Sequence, residues 1–123
     1  MVSVRYLVDD VEAAQEFYTR HLGFRVLSSF LPAFADVARG SLRLLLSGPP
    51  SSGARATPDD HAVPGRNRIH LEVDDLEAEV QRLVEGGVES FVSDVVSGPG
   101  GRQILLADPS GNLVELFTPA ARG

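Results

Sequence analysis

The 123-residue sequence contains no cysteine and no lysine; all eleven of its cationic side chains are arginine. The first absence excludes disulfides, thiolate metal sites and cysteine nucleophiles, and leaves oxygen and imidazole as the ligand types for any metal. An excess of base is missing too, since 11 Lys+Arg stand against 17 Asp+Glu, for a formal net charge of −6. Such a chain is poorly suited to assemble the basic face that neutralising phosphates requires, so nucleic acid is not an expected partner. No apolar run approaches the ~20 residues needed to span a bilayer, and no basic N-terminal segment leads into an apolar stretch. A cytoplasmic protein with no membrane partner is the expectation. With 43% hydrophobic residues the chain is rich enough in apolar side chains for one core, and a single domain over residues 1–123 is expected.

What the chain does contain is an internal repeat. Val8-Asp9-Asp10-Val11-Glu12-Ala13 returns as Val73-Asp74-Asp75-Leu76-Glu77-Ala78, at about half the chain length. Before each copy lies a short alternating segment, residues 4–8 and 69–73; after each lies a stretch of helical period closed by Gly23 or Gly87. Asp9 and Asp74 are expected as N-caps, each with a glutamate three residues on, Glu12 and Glu77. The first helix lines up Val11, Ala14, Phe17, Tyr18 and Leu22 on one stripe, and the second lines up Leu76, Val80, Leu83 and Val84. Strand character follows over 24–30, 33–37 and 41–46, then over 90–96, 103–107 and 113–117. Each half therefore reads β-α-β-β-β, as module one over about 2–47 and module two over about 66–118. Residues 48–65, rich in proline and glycine, are expected as a connecting loop without an element of its own. Asp108-Pro109-Ser110-Gly111-Asn112 predicts a tight turn. Gly98-Pro99-Gly100-Gly101 predicts a turn rather than a phosphate cradle, since no helix follows it.

The duplicated βαβββ module, its Val-Asp-Asp-x-Glu-Ala helix entry, Phe17-Tyr18 followed by Leu22-Gly23-Phe24, and the closing 108–116 segment together resemble the vicinal oxygen chelate superfamily. That superfamily includes glyoxalases, extradiol dioxygenases, fosfomycin-resistance enzymes and bleomycin-resistance proteins. The resemblance implies an α+β fold in which the two tandem modules form a curved mixed sheet with a concave ligand cup. It does not choose a chemistry, because the superfamily runs several and some members only bind.

Metal-dependent members of the superfamily carry ligands at four strand positions. Here the resemblance maps these onto Ser3, Arg43, Arg68 and Glu115, so only Glu115 keeps a ligand type. One carboxylate cannot hold a divalent ion that needs three or four protein donors, and an arginine beside it repels the ion. His70, two residues beyond Arg68 on the same strand face, adds a second donor at most. Neither metal nor cofactor is expected.

Alternation supplies a different site. If Val4, Tyr6, Val8, Ile69, Leu71 and Val73 face the helices, then Ser3, Arg5, Leu7, Arg68, His70 and Glu72 face the other side, with Arg43, Leu45, Glu115 and Phe117 beside them. Phe30 and Phe34 are positioned to stack. The candidate ligand-binding set is Arg5, Leu7, Phe30, Phe34, Arg43, Leu45, Arg68, His70, Glu115 and Phe117, a lining for an aromatic ligand with an acidic or hydrogen-bonding edge. Structural readings stand beside it: Arg68 with Glu115 as a salt bridge, Phe30 and Phe34 as core or dimer contacts. The leading expectation is a homodimeric, metal-free protein of the bleomycin-resistance kind that sequesters an aromatic natural product or antibiotic. The rival is a glyoxalase- or dioxygenase-like enzyme, a lyase, isomerase or oxygenase using His70 and Glu115.

Overall fold

The computed structural model describes residues 2–120. The chain divides into two compact units, Met1–Asn67 with Asp108–Asn112, and Arg68–Ala107 with Leu113–Gly123. The first holds β1 (Ser3–Leu7), α1 (Val11–His21), β2 (Arg25–Phe30), β3 (Phe34–Arg39), β4 (Leu42–Ser47) and a short α2 (Ser52–Arg55). The second holds β5 (Arg68–Glu72), α3 (Leu76–Glu85), β6 (Val96–Gly98), β7 (Gly101–Ala107) and β8 (Leu113–Pro119). Each unit carries a four-stranded mixed sheet, ordered β1-β4-β3-β2 and β5-β8-β7-β6. In both, the first strand runs parallel to the last and the other pairs are antiparallel. This is the βαβββ pattern expected, realised twice.

The helices start one residue later than expected. The caps are Asp10 and Asp75, whose side chains accept from the N–H of Ala13 at 3.0 Å and of Ala78 at 3.1 Å. Glu12 and Glu77 are therefore two residues inside the cap, one short of the capping-box position. In a pair of aspartates either can cap; the backbone decides, and it is Asp10 and Asp75 that stand extended at the threshold (φ −131° and −138°). Gly23 and Gly87 close the helices as expected, with φ of 71° and 92°. These angles turn the N–H of Phe24 back to the carbonyl of Tyr18 (3.1 Å) and that of Val88 to Leu83 (3.0 Å).

Helix α1 buries Val11, Ala14, Phe17 and Tyr18 and packs on β3 and β4. On α3, Leu76 and Leu83 are buried, whereas Val84, expected on the same stripe, is exposed. Eight residues from Leu76 is about 80° round the helix, which carries Val84 off the packed face. Two further expectations are corrected. Residues 90–96 do not form a strand; they follow β7 through an isolated bridge of Phe91 with Leu106 and the bond from Val92 N–H to the Leu105 carbonyl, and regular pairing starts only at Val96. The 48–65 connection does contain an element, α2, capped by Ser51, whose hydroxyl accepts from the Ala54 N–H at 3.2 Å. A four-residue helix is too short to show a period.

At the centre of the first unit, Tyr18 meets Phe17, Tyr6 and Phe24 edge-on, with ring centroids 5.2, 6.1 and 5.3 Å apart. Such pairs contribute about 0.5–1.5 kcal/mol each beyond burial. The Tyr18 hydroxyl donates to Asp108 Oδ2 at 2.9 Å. Asp108 also accepts from the backbone N–H groups of Ser110 and Asn112, both at 2.9 Å, and from Asn112 Nδ2 at 3.2 Å. Asn112 spends its amide a second time on the Leu7 carbonyl (3.1 Å), and its Oδ1 accepts from the Asn67 N–H (3.0 Å). Both residues are buried while Pro109 and Gly111 between them are exposed, so the turn is anchored in the interior by its two ends. Burial pushes the Asp108 carboxyl above its ordinary value, opposed by the hydrogen bonds from Tyr18 and Asn112. The phenols of Tyr6 and Tyr18 are raised strongly, by burial first and by the neighbouring Asp108 carboxyl next.

Tyr18→Phe keeps the ring contacts and deletes the buried donor to Asp108. The expected loss is about 1–3 kcal/mol in urea unfolding at neutral pH. A loss below about 0.5 kcal/mol, the range of ordinary surface changes, would show that the bond does not hold the turn.

Candidate functional site

Strand registers place the expected site residues on common faces. Across the first sheet, Ser3, Arg43, Ala38 and Arg25 form one row, Arg5, Leu45, Asp36 and Ser28 the next, and Leu7, Ser47, Phe34 and Phe30 a third. Cross-strand partners share a face, and so do alternate residues. Arg5, Leu7, Phe30, Phe34, Arg43 and Leu45 therefore lie on the side opposite Tyr6, Val37, Leu44 and Leu46, which are buried. In the second sheet, His70 pairs with Glu115 and Glu72 with Phe117, and Arg68 lies on the same face by alternation. Leu105 and Gln103, opposite Glu115 and Phe117, extend that face.

Beside the third row opens a recess of about 490 Å³, lined in part by Arg5, Phe30, Phe34, Ser51, Gly53 and Arg55. Phe30 is 67% exposed, unusual for so large an apolar ring, and Phe34 is half-buried. Arg5 donates from Nη1 to Ser47 Oγ at 2.9 Å. Its guanidinium lies against Gly53, where a Cβ would collide with it. Leu7 lines a separate, smaller recess of about 240 Å³ with Val8, Pro49, Ala54 and Pro64.

Arg43 has a partner within its own sheet. Its Nε and Nη2 reach Asp36 Oδ2 at 2.7 and 2.5 Å, and the Ser28 hydroxyl donates to Asp36 Oδ1. Asp36 is 2% exposed. Burial raises its carboxyl, but the hydrogen bonds from Ser28 and Arg43 outweigh it, and the group sits below the usual carboxylate range. The role of Asp36 was missed in the sequence, although its alternation with Phe34 in the expected strand 33–37 put it on the ligand side.

On the second sheet, Arg68 clasps Glu115 Oε1 through Nη2 at 2.6 Å and Nε at 3.1 Å. His70 Nε2 lies 3.7 Å from Glu115 Oε2, and its ring tilts over Phe117 with centroids 4.9 Å apart. This arrangement does not suit the metal that the superfamily's metal-dependent members hold. The one carboxylate at their ligand positions is already bridged by a fixed guanidinium, and the other three positions are Ser3, Arg43 and Arg68. Among the described residues no group of three His, Asp or Glu could hold a metal ion. A carboxylate neutralised by arginine, beside an imidazole and a phenyl ring, can accept or donate hydrogen bonds and stack on a planar ligand.

The βαβββ duplication agrees with the comparisons. The family model for the Glyoxalase/Bleomycin resistance protein/Dioxygenase superfamily matches residues 1–116, and the chain belongs to that superfamily. Among solved structures it is similar to TnmS3, an antibiotic binding protein from Streptomyces sp. CB03234, with 29% identity over 96% of this chain and 93% of that one and a TM-score of 0.69. It is also similar to a superfamily member from Nocardioides, at 26% identity over 99% and 84% of the two chains with a TM-score of 0.74. A lactoylglutathione lyase from Agrobacterium tumefaciens shares the fold, at 22% identity over 96% and 92% with a TM-score of 0.78. No curated protein matches the sequence. No helix is long and apolar enough to cross a membrane among the described residues.

Asp36→Asn leaves Arg43 without its carboxylate, and about 1–3 kcal/mol should be lost at pH 7, less than for a fully buried pair because Arg43 is partly exposed. Since the folded state lowers the pKa of Asp36, its contribution is present above the ordinary carboxylate pKa of about 3.9 and is lost as pH falls through the folded value. The stability gap between wild type and variant, followed by urea unfolding, should therefore shrink below about pH 4. A gap independent of pH would refute the assignment.

Proposed function

We propose that this protein binds a small aromatic molecule, of the antibiotic or natural-product class, and sequesters it unchanged without a resident metal or cofactor. The observation that carries the reading is the Arg68–Glu115 bridge: the last ligand-type residue among the superfamily's metal positions is held at 2.6 Å by an arginine standing at another of them. The antibiotic-binding activity of TnmS3, at 29% identity over nearly the full chain, supports the same class of function. Candidate contacts are Arg5, Leu7, Phe30 and Phe34 on the first sheet and its recesses, and Arg68, His70, Glu115 and Phe117 on the second. Arg43 and Leu45 complete the set, Arg43 as the partner of Asp36 beneath it.

We propose further that the working form is a cytoplasmic homodimer. Edge strand β2 supports this, since Val26, Leu27, Phe30 and the following Leu31 are all exposed, an apolar edge that a monomer gains nothing by showing to water. Turnover is the second reading, and the 3.7 Å approach of His70 to Glu115 is the observation in its favour, as a histidine oriented by a carboxylate can move a proton.

Metal analysis of protein purified without chelator, followed by calorimetric titration of the stripped protein with nickel, manganese, iron(II) and zinc, tests the reading. No stoichiometric metal is expected. In a thermal-shift screen of aromatic antibiotics a ligand at about a hundred times its Kd should stabilise by about 2.7 kcal/mol and be recovered with unchanged mass. One tightly held ion per chain, or a product of altered mass that disappears in His70→Ala, would overturn sequestration.

A further inference from the structure

We infer that the recess on the first unit takes an aromatic ligand that carries an anionic group, with Arg5 and Arg55 as the counter-charges; the inference rests on the ligand-binding reading above and narrows its ligand class. In a chain with 17 acidic residues against 11 basic ones, a guanidinium has no shortage of carboxylates to meet. Arg20, Arg43, Arg68, Arg82 and Arg102 each meet one, Glu16, Asp36, Glu115, Glu79 and Glu77 respectively. Arg5, Arg25, Arg39, Arg55 and Arg66 meet none among the described residues, and of these five it is Arg5 and Arg55 that line one recess together.

Arg5 is also held in place. Ser47, 1% exposed, accepts from its Nη1, and the bare Cα of Gly53 leaves the space in which its guanidinium lies. Holding a long cation in one geometry costs rotamer entropy, which an ion-pair partner would ordinarily offset. Without a protein carboxylate, the charge remains available to an incoming one. A planar guanidinium offers paired N–H donors that match a carboxylate, sulfonate or phenolate edge. Phe30 and Phe34 line the same recess and supply the flat apolar contacts that a ring requires. At about 490 Å³ the recess is within the size range of small-molecule sites, and larger than a simple anion needs.

The experiment compares three probes by calorimetric titration at fixed salt: 2-naphthoate, its uncharged isostere 2-naphthamide, and acetate. Naphthoate should bind about tenfold tighter than naphthamide, and acetate should not bind measurably. Arg5→Gln and Arg55→Gln should each reduce that preference, and Arg55→Lys, which keeps the charge, should retain most of it. Far-UV circular dichroism and the melting temperature establish that each variant is folded. Equal binding of naphthoate and naphthamide, a preference untouched by both glutamine variants, or binding of neither aromatic probe overturns the inference while leaving sequestration of an uncharged ligand standing. A metal requirement or chemical conversion of a bound antibiotic overturns sequestration instead, and in that case a charge preference lost in the arginine variants still supports the recess assignment.

Discussion

The first unit depends on one buried carboxylate. Asp108 accepts four hydrogen bonds, from the Tyr18 hydroxyl, two backbone N–H groups and the Asn112 amide. Tyr18 in turn sits among Phe17, Tyr6 and Phe24, and Asn112 closes onto Leu7 and Asn67. A turn far along the chain is thereby anchored, through its buried ends Asp108 and Asn112, to the unit formed by the first 67 residues. A buried carboxylate is tolerable only while its donors are in place, so helix α1, the end of β1 and the turn must be assembled together.

Repetition of one sequence module has produced two sheets of the same order and two helices entered by the same cap, but the two copies have diverged in what they offer chemically. Arg5 and His70 are equivalent by the repeat, and across the parallel strand pair they face Leu45 and Glu115. The first sheet has an apolar neighbour there and sends its arginine to a recess. The second has a carboxylate, and Arg68 has closed on it. Arg43 and Arg68 are no metal ligands at all, and pairing with Arg68 occupies Glu115, the one ligand-type residue at those positions.

Much of the fold was legible because it follows from local rules. Period-2 strands, period-3.6 helices, glycine stops and the Asp-Asp entry are each set by neighbouring residues. Where the reading slipped, the deciding contact was nonlocal or the element too short. Asp10 took the cap in place of Asp9, whose own N–H is bound to the Ser110 hydroxyl. Residues 90–96 trail β7 because the Ser90 and Ser93 side chains hydrogen-bond β7 directly, Ser90 Oγ donating to the Ala107 carbonyl and Ser93 Oγ accepting from the Leu105 N–H. Neither contact has a sequence signature.

The sequence by itself determined the class of protein, the βαβββ order within each module and the residues that share each strand face, since alternation and repetition are properties of the chain alone. It also determined that no thiol chemistry is available. Only the tertiary structure decided how those residues are used: that Asp36 engages Arg43, that Arg68 engages Glu115, and that Arg5 and Arg55 come to one recess without a carboxylate. The physical reason is that an ion pair depends on distances of a few ångströms between side chains remote in sequence, and strand register together with the path of the connection through α2 sets those distances.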